Sequence, residues 1–148
     1  MISDASGDAA FPNDLETALL EDLRATSAQG VNSRIDLVVR DEGGALLAGL
    51  AATTSYGWLR VNMIWVSTRR RRTGLGRHLT QAAMDLGLER GCHAAWLETS
   101  NPQARTFYEN LGFEVFAQLA NDAGNVPVSH RRWFLRRTLT LSKIEEAL

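Results

Sequence analysis

The stretch RRRRTGLGRHLT, Arg69–Thr80, decides how the rest of this chain is interpreted. Four arginines run into a glycine-x-glycine pair, and an apolar repeat typical of a helix follows. Gly74 and Gly76 lack a β-carbon, so the backbone there can curl and approach a ligand closely. The first amides of a helix have no partner within the helix and carry the positive end of its dipole. This turn therefore predicts an anion site that suits a diphosphate.

The same stretch could also belong to another phosphate-binding motif or to a nucleic-acid-binding arm. No Gly-Lys-Ser/Thr follows the glycines, and GLGRHL lacks the third glycine of a dinucleotide fingerprint, so neither of those motifs is present. A nucleic-acid arm is typically a disordered basic tail with interleaved aromatics, whereas these arginines lie between a strand and a helix. We therefore expect no nucleic-acid partner. A tight strand-to-helix turn without any ligand remains an open alternative.

The composition fits a small anionic ligand better than a long one. The 148 residues carry a net charge of -1, yet fifteen of the sixteen basic residues are arginine and five of those fall between Arg69 and Arg77. Cys92 is the only cysteine, which excludes an internal disulfide and argues against a cysteine-built metal site, so no metal is expected. No apolar run approaches the roughly 20 residues that span a bilayer. We expect a cytoplasmic protein without a membrane partner.

The hydrophobic periodicity predicts one domain over residues 1–148. Residues 1–11 have room for at most a rudimentary first strand, and residues 141–148 predict a short terminal helix or tail. Between them the predicted order is helix, three mostly antiparallel strands, helix, strand, helix and two strands. The predicted bounds are helices at 12–30, 75–91 and 102–111 and strands at 34–40, 45–54, 58–66, 94–100, 113–119 and 131–139. This order predicts an α/β (α+β) fold with a mixed, mostly antiparallel central sheet flanked by helices.

Two motifs resemble those of a known family. Arg71 to Gly76 (RRTGLG) matches the (Q/R)xxGx(G/A) motif of the GNAT superfamily of N-acetyltransferases, and NPQARTFY at 101–108, followed by LGF at 111–113, matches a second motif. The resemblance is almost continuous from Trp58 to Gln118. One departure is Arg72, where many members of the family have glycine.

The resemblance implies acetyl-CoA as the acetyl donor and a splay between the strand ending at Val66 and the next strand. The pantetheine arm is expected to lie in that gap, with the diphosphate on the amides of the glycine turn. The residues implied to bind the cofactor are Ile64, Trp65, Val66, Arg71, Arg72, Thr73, Gly74, Leu75, Gly76, Asn101, Arg105, Phe107 and Tyr108. Packing alone is an open alternative for Leu75 and Phe107. Homodimers are common in the family, so a homodimer is among the expectations.

The resemblance further implies direct attack of a neutral amine on the thioester. Because an aliphatic amine has a pKa near 10, a base must remove a proton, and the leaving thiolate benefits from an acid. Tyr108 matches the family's usual acid. Glu98 is our candidate base, acting through water, although it also suits capping the turn before Asn101 or orienting the amine. His130 is a further candidate. The acceptor is a small-molecule amine or a peptide amine, and the alternative function is a non-catalytic acyl-CoA sensor or partner module.

Overall fold

The elements form nearly as predicted. The computed structural model describes residues 1–141, so of the terminal helix or tail predicted for 141–148 only Leu141 lies within the described part, and it is outside any helix. The α-helices are α1 (Phe11–Thr26), α2 (Leu75–Glu89) and α3 (Pro102–Asn110), and one 3-10 turn spans Thr68–Arg70. The strands are β1 (Ser33–Arg40), β2 (Leu46–Ser55), β3 (Trp58–Val66), β4 (Ala94–Thr99), β5 (Glu114–Ala120) and β6 (Arg131–Thr138).

The six strands form one sheet in the order β1-β2-β3-β4-β6-β5. Every neighbouring pair is antiparallel except β3 and β4, which run parallel, and this confirms the predicted mixed sheet. Strands β3 and β4 pair through only three residues of each, Trp58–Arg60 with Ala94–Trp96. Beyond Arg60 and Trp96 they separate, which confirms the predicted splay.

The two faces of the sheet differ in their covering. Leu59, Leu97 and Leu135, on three neighbouring strands, point to the face against which α2 packs, and all three are buried. From the same face Arg137 of β6 reaches the Met84 sulfur of α2 and the Leu111 carbonyl that ends α3. We call this the covered face. Side chains at alternating positions point the opposite way, because successive residues of a strand face opposite sides. That second surface is called the open face.

The N-terminal region departs from the predictions in two respects. Residues 1–10 contain no strand, so the rudimentary first strand is wrong. Helix α1 ends at Thr26 rather than near Gly30, because the hydroxyls of Thr26 and Ser27 bind the Leu23 carbonyl and the chain then extends. Its apolar stripe is present, yet no residue of α1 is buried. No helix within residues 1–141 is long and apolar enough to cross a membrane.

Candidate active site

A cavity of about 440 Å³ lies where β3 and β4 separate. Its walls come from the second half of β3, the end of β4 and the inner side of α3. The lining residues are Val61, Asn62, Met63, Ile64, Trp65, Leu97, Glu98, Thr99, Asn101, Ala104 and Tyr108. Five of these lining residues were predicted from the sequence as site residues: Ile64, Trp65, Glu98, Asn101 and Tyr108. We call this cavity the gap.

Sequence reasoning missed a bulge in the β3 wall of the gap. Register partners change from Ala52–Val61 to Ala51–Met63, so no residue of β2 lies directly opposite Asn62 in the register. A bulge of this kind adds one residue and bends the strand locally. In consequence the side chains facing α2 shift from odd to even positions, and Val66 approaches Gly76 of that helix. The only signal in the sequence was the adjacent apolar pair Met63 and Ile64, which breaks the alternation that runs from Leu59 to Met63.

The backbone of β3 offers hydrogen-bonding groups to the gap. The Ser67 amide bonds to the Leu47 carbonyl of β2 at 2.8 Å, so the adjacent Val66 and then Ile64 direct their backbone groups to the other side, because the direction alternates along a strand. The hydroxyl oxygen of Ser67 is buried and has no hydrogen-bond partner within residues 1–141. The Ile64 backbone groups and the Val66 amide can therefore form hydrogen bonds with an extended, polar ligand.

At one end of the gap lies the turn that begins α2. Gly74 is the N-cap residue, with a φ of 82° in the left-handed region, and no side chain caps the first amides. Arg72 also has a positive φ, of 63°, which costs a residue with a β-carbon roughly 1 kcal/mol. Arg71 donates from Nε to the Val66 carbonyl at 3.1 Å, and Thr73 bonds to the Arg70 carbonyl. The turn is thus held from within while its amides stay free for an anion.

The second predicted motif places Tyr108 in the covered wall of the gap. The Asn101 side chain accepts a hydrogen bond from the Gln103 amide at 2.9 Å, which caps α3 as predicted. Tyr108 is only 4% exposed and packs edge-on against Phe107 and Phe113. Burial raises the pKa of Tyr108 to about 12, because the phenolate form is poorly solvated there. The phenol is therefore protonated, and available as a donor, at every physiological pH.

Glu98 lies on the open face at the other wall. Its Oε1 is 3.5 Å from Arg132 Nη1 and 3.9 Å from Arg60 Nη2, and its side chain is 30% exposed. The turn before Asn101 is instead held by Thr99 Oγ1, which accepts from the Asn101 amide at 3.1 Å. Capping of that turn by Glu98, the alternative considered from the sequence, is therefore wrong. Arg60 and Arg132 were not predicted as site residues, since pairs so distant along the chain leave no local signal; Arg132 and Glu98 are 34 positions apart.

Val66 and the turn Arg71–Gly76 do not line the gap, and neither do Arg105, Phe107 and His130. Arg105 pairs with Glu109 at 3.1 Å and stacks over the Trp133 ring at 5.0 Å. Phe107 packs against the first turn of α2, with its ring 3.5 Å from the place where a β-carbon of Gly76 would lie. His130 lies just before β6, with its carbonyl bonded to the Asn121 amide. Their cofactor and base roles stay predictions.

Comparison with known proteins agrees with this geometry. The profile of the acetyltransferase (GNAT) family matches residues 8–113, well over half of the chain. An acetyltransferase of Agrobacterium fabrum is 31% identical over 85 residues, 57% of this chain and 62% of that protein. A blasticidin-S acetyltransferase of Streptomyces morookaense is 34% identical over 79 residues, 53% of this chain and 58% of that protein. The matches thus span less than two thirds of either relative.

The crystal structure of an acetyltransferase from Agrobacterium tumefaciens has a TM-score of 0.80 against this chain, at 25% identity. The superposition covers 93% of this chain and 97% of that one. The six-stranded mixed sheet with its splayed pair and three helices is accordingly the GNAT fold. With the family profile matching both motifs and the strands between them, the chain belongs to the acetyltransferase (GNAT) family.

Proposed function

We propose that this protein is an acetyltransferase that moves the acetyl group of acetyl-CoA to a primary amine of a small molecule. The observation that carries the proposal is the gap itself, which has free helix amides at one end and a buried phenol in its wall. Membership of the family supports the reaction type. The name of the Streptomyces morookaense relative, an enzyme for blasticidin S, supports a small-molecule acceptor over a peptide.

The residues present fit acetyl-CoA. The uncapped amides of Leu75 and Gly76, with those of the turn before them, would hold the diphosphate, and the surrounding arginines would add positive charge. The edge of β3 at Ile64 and Val66 would bond to the pantetheine amides. When bound, acetyl-CoA supplies an activated acetyl thioester whose sulfur leaves as a thiolate.

Tyr108 would act on the leaving sulfur as a hydrogen-bond donor. A phenol with a pKa near 12 lies about 3.5 units above an ordinary thiol, so complete proton transfer to a thiolate is uphill by roughly 5 kcal/mol. A hydrogen bond formed as charge develops on sulfur avoids that cost and still stabilises the transition state. An amide near Val66 would stabilise the oxyanion in the same way.

Glu98 would receive the proton of the attacking amine through water. Its carboxylate reaches the gap from the open face, and the guanidinium groups of Arg60 and Arg132 hold it in place. The amine must be neutral to attack, and most of an aliphatic amine is protonated at pH 7. A carboxylate at this position therefore performs a step that the reaction requires.

Steady-state release of CoA thiol tests the proposal. Purified protein is incubated with acetyl-CoA and a panel of primary amines, and the thiol is followed with a chromogenic disulfide. We expect saturable, amine-dependent release with at least one member of the panel. Saturable binding of acetyl-CoA with no turnover on any amine would instead favour the sensor, the alternative function considered from the sequence.

A further inference from the structure

A second cavity lies on the open face beside the gap. It has a volume of about 550 Å³ and is lined by four aromatic rings and one guanidinium group: Trp58, Trp96, Phe116, Phe134 and Arg136. Two of the rings, Phe116 and Phe134, have centroids 6.4 Å apart. Four rings around one open cavity form a surface suited to a flat apolar group, because aromatic faces pack well against one another.

This aromatic cavity adjoins the gap at Glu98. In the sheet register Glu98 lies opposite Phe134, and Trp96 lies opposite Arg136. Trp96 also lies opposite Arg60, whose guanidinium stacks over its ring at 4.7 Å. Two positions along one strand separate Trp96 from Glu98, about 7 Å. A molecule with its amine at Glu98 therefore has its body over these rings.

The charges on this part of the open face leave a positive surplus. Arg60, Arg132 and Arg136 face the carboxylates of Glu98 and Glu114, three positive charges against two negative. The three ion pairs measure 3.5 to 3.9 Å, longer than an ordinary hydrogen bond, so most guanidinium donors remain available. Arginine binds planar acids through two donors at once, which makes an acidic group on the ligand the complement of this surface.

We propose that the open face selects acceptor amines that carry both a flat aromatic ring and an acidic group. The ring lies against Trp96 and Phe134, the acid is held by Arg136, and the amine lies at Glu98. This inference rests on the proposed function, since it names the class of acceptor for the same reaction.

The test compares three amines on the full chain with acetyl-CoA: L-phenylalanine, 2-phenylethylamine, which lacks the acid, and L-alanine, which lacks the ring. We expect kcat/KM for L-phenylalanine to exceed that for each of the other two at least tenfold. Phe134→Ala should remove the advantage over L-alanine, and Arg136→Gln should remove the advantage over 2-phenylethylamine. Matched controls on the open face of β1, Val38→Ala and Arg34→Gln, should change neither ratio by more than twofold.

Equal turnover of all three amines overturns the inference and leaves the proposed function standing. If neither these three amines nor the wider panel releases thiol, the proposed function fails, and calorimetric binding of L-phenylalanine to the CoA-loaded protein decides the inference by itself. Binding that Phe134→Ala weakens tenfold supports it, and an absence of binding overturns it. A change of oligomeric state in Phe134→Ala with unaltered amine selectivity also overturns it, because the rings would then be covered by a second copy.

Discussion

The two walls of the gap hold their acid–base candidates in opposite environments. Tyr108, on the covered side, is 4% exposed, and burial raises its pKa to about 12. Glu98, on the open side, keeps 30% of its side chain exposed between two guanidinium groups. One cavity can thus keep a neutral donor at one wall and a charged acceptor at the other, because α2 and α3 cover only one face of the sheet.

We expect the largest loss of kcat from removing the Tyr108 hydroxyl, the hydrogen-bond donor at the covered wall. Tyr108→Phe keeps the packing and deletes only the hydroxyl, so kcat should fall at least a hundredfold while the dissociation constant of acetyl-CoA changes less than threefold. Steady-state kinetics and calorimetry measure the two quantities. Tyr56→Phe, at a tyrosine that is half exposed, is the control. An unchanged kcat would mean that Tyr108 takes no part in the reaction.

The carboxylate at the open wall should give the next largest effect, with a characteristic pH dependence. Glu98→Gln should lower kcat about a hundredfold at pH 7, within the range expected for a general base. The loss should shrink towards pH 10, because more of the amine then arrives neutral. Asp36→Asn, at another open-face carboxylate paired with an arginine, serves as the control. A loss that is constant with pH would mean that Glu98 orients the amine and takes no proton.

Burial of Tyr108 also predicts a change of stability at high pH. A phenol whose pKa is 10 when unfolded and about 12 when folded contributes stability below pH 10, and this is lost as the pH rises towards 12. Two units correspond to roughly 3 kcal/mol. The free energy of unfolding of the unsubstituted chain, relative to Tyr108→Phe, should therefore fall by about that amount between pH 10 and 12. A constant difference would mean that the phenol is well solvated.

A substitution in the glycine turn should have a smaller effect, on the affinity for acetyl-CoA. Gly74→Ala places a β-carbon at a φ of 82°, which costs roughly 1–2 kcal/mol and shifts the turn. Gly91→Ala is the matched control, with a φ of 91° and open space around it at the far end of α2. Both substitutions should lower stability similarly, but only Gly74→Ala should weaken acetyl-CoA binding, about 5- to 30-fold by calorimetry. Equal acetyl-CoA affinities in the two variants would mean that the turn does not contact the cofactor.

Local patterns were enough to predict most of the fold. The alternation of Leu59 and Val61 and the caps at Asn101 and Gly74 are properties of a few adjacent residues, so the strands and helices followed from them. The splay was implied only by the resemblance to the family. The resemblance to the family supplied Tyr108. The exposure of the α1 stripe was not predictable, because periodicity shows that a helix has an apolar side and does not show what covers it.

The rest of the site depends on long-range register. The contact between Arg132 and Glu98 exists only because β6 inserts between β4 and β5. The aromatic cavity likewise collects residues from four strands, and each of them by itself is an ordinary strand residue. The bulge at Asn62 requires knowledge of the pairing with β2.

Hydrogen exchange with and without acetyl-CoA tests the central claim, that the gap and its glycine turn form the cofactor site. Mass spectrometry should find slower exchange at residues 64–66 and 72–77 when acetyl-CoA is added, with β1 unchanged as the internal reference. Acetyl-CoA that binds without slowing exchange in either segment, or that slows it only elsewhere in the chain, would contradict the account.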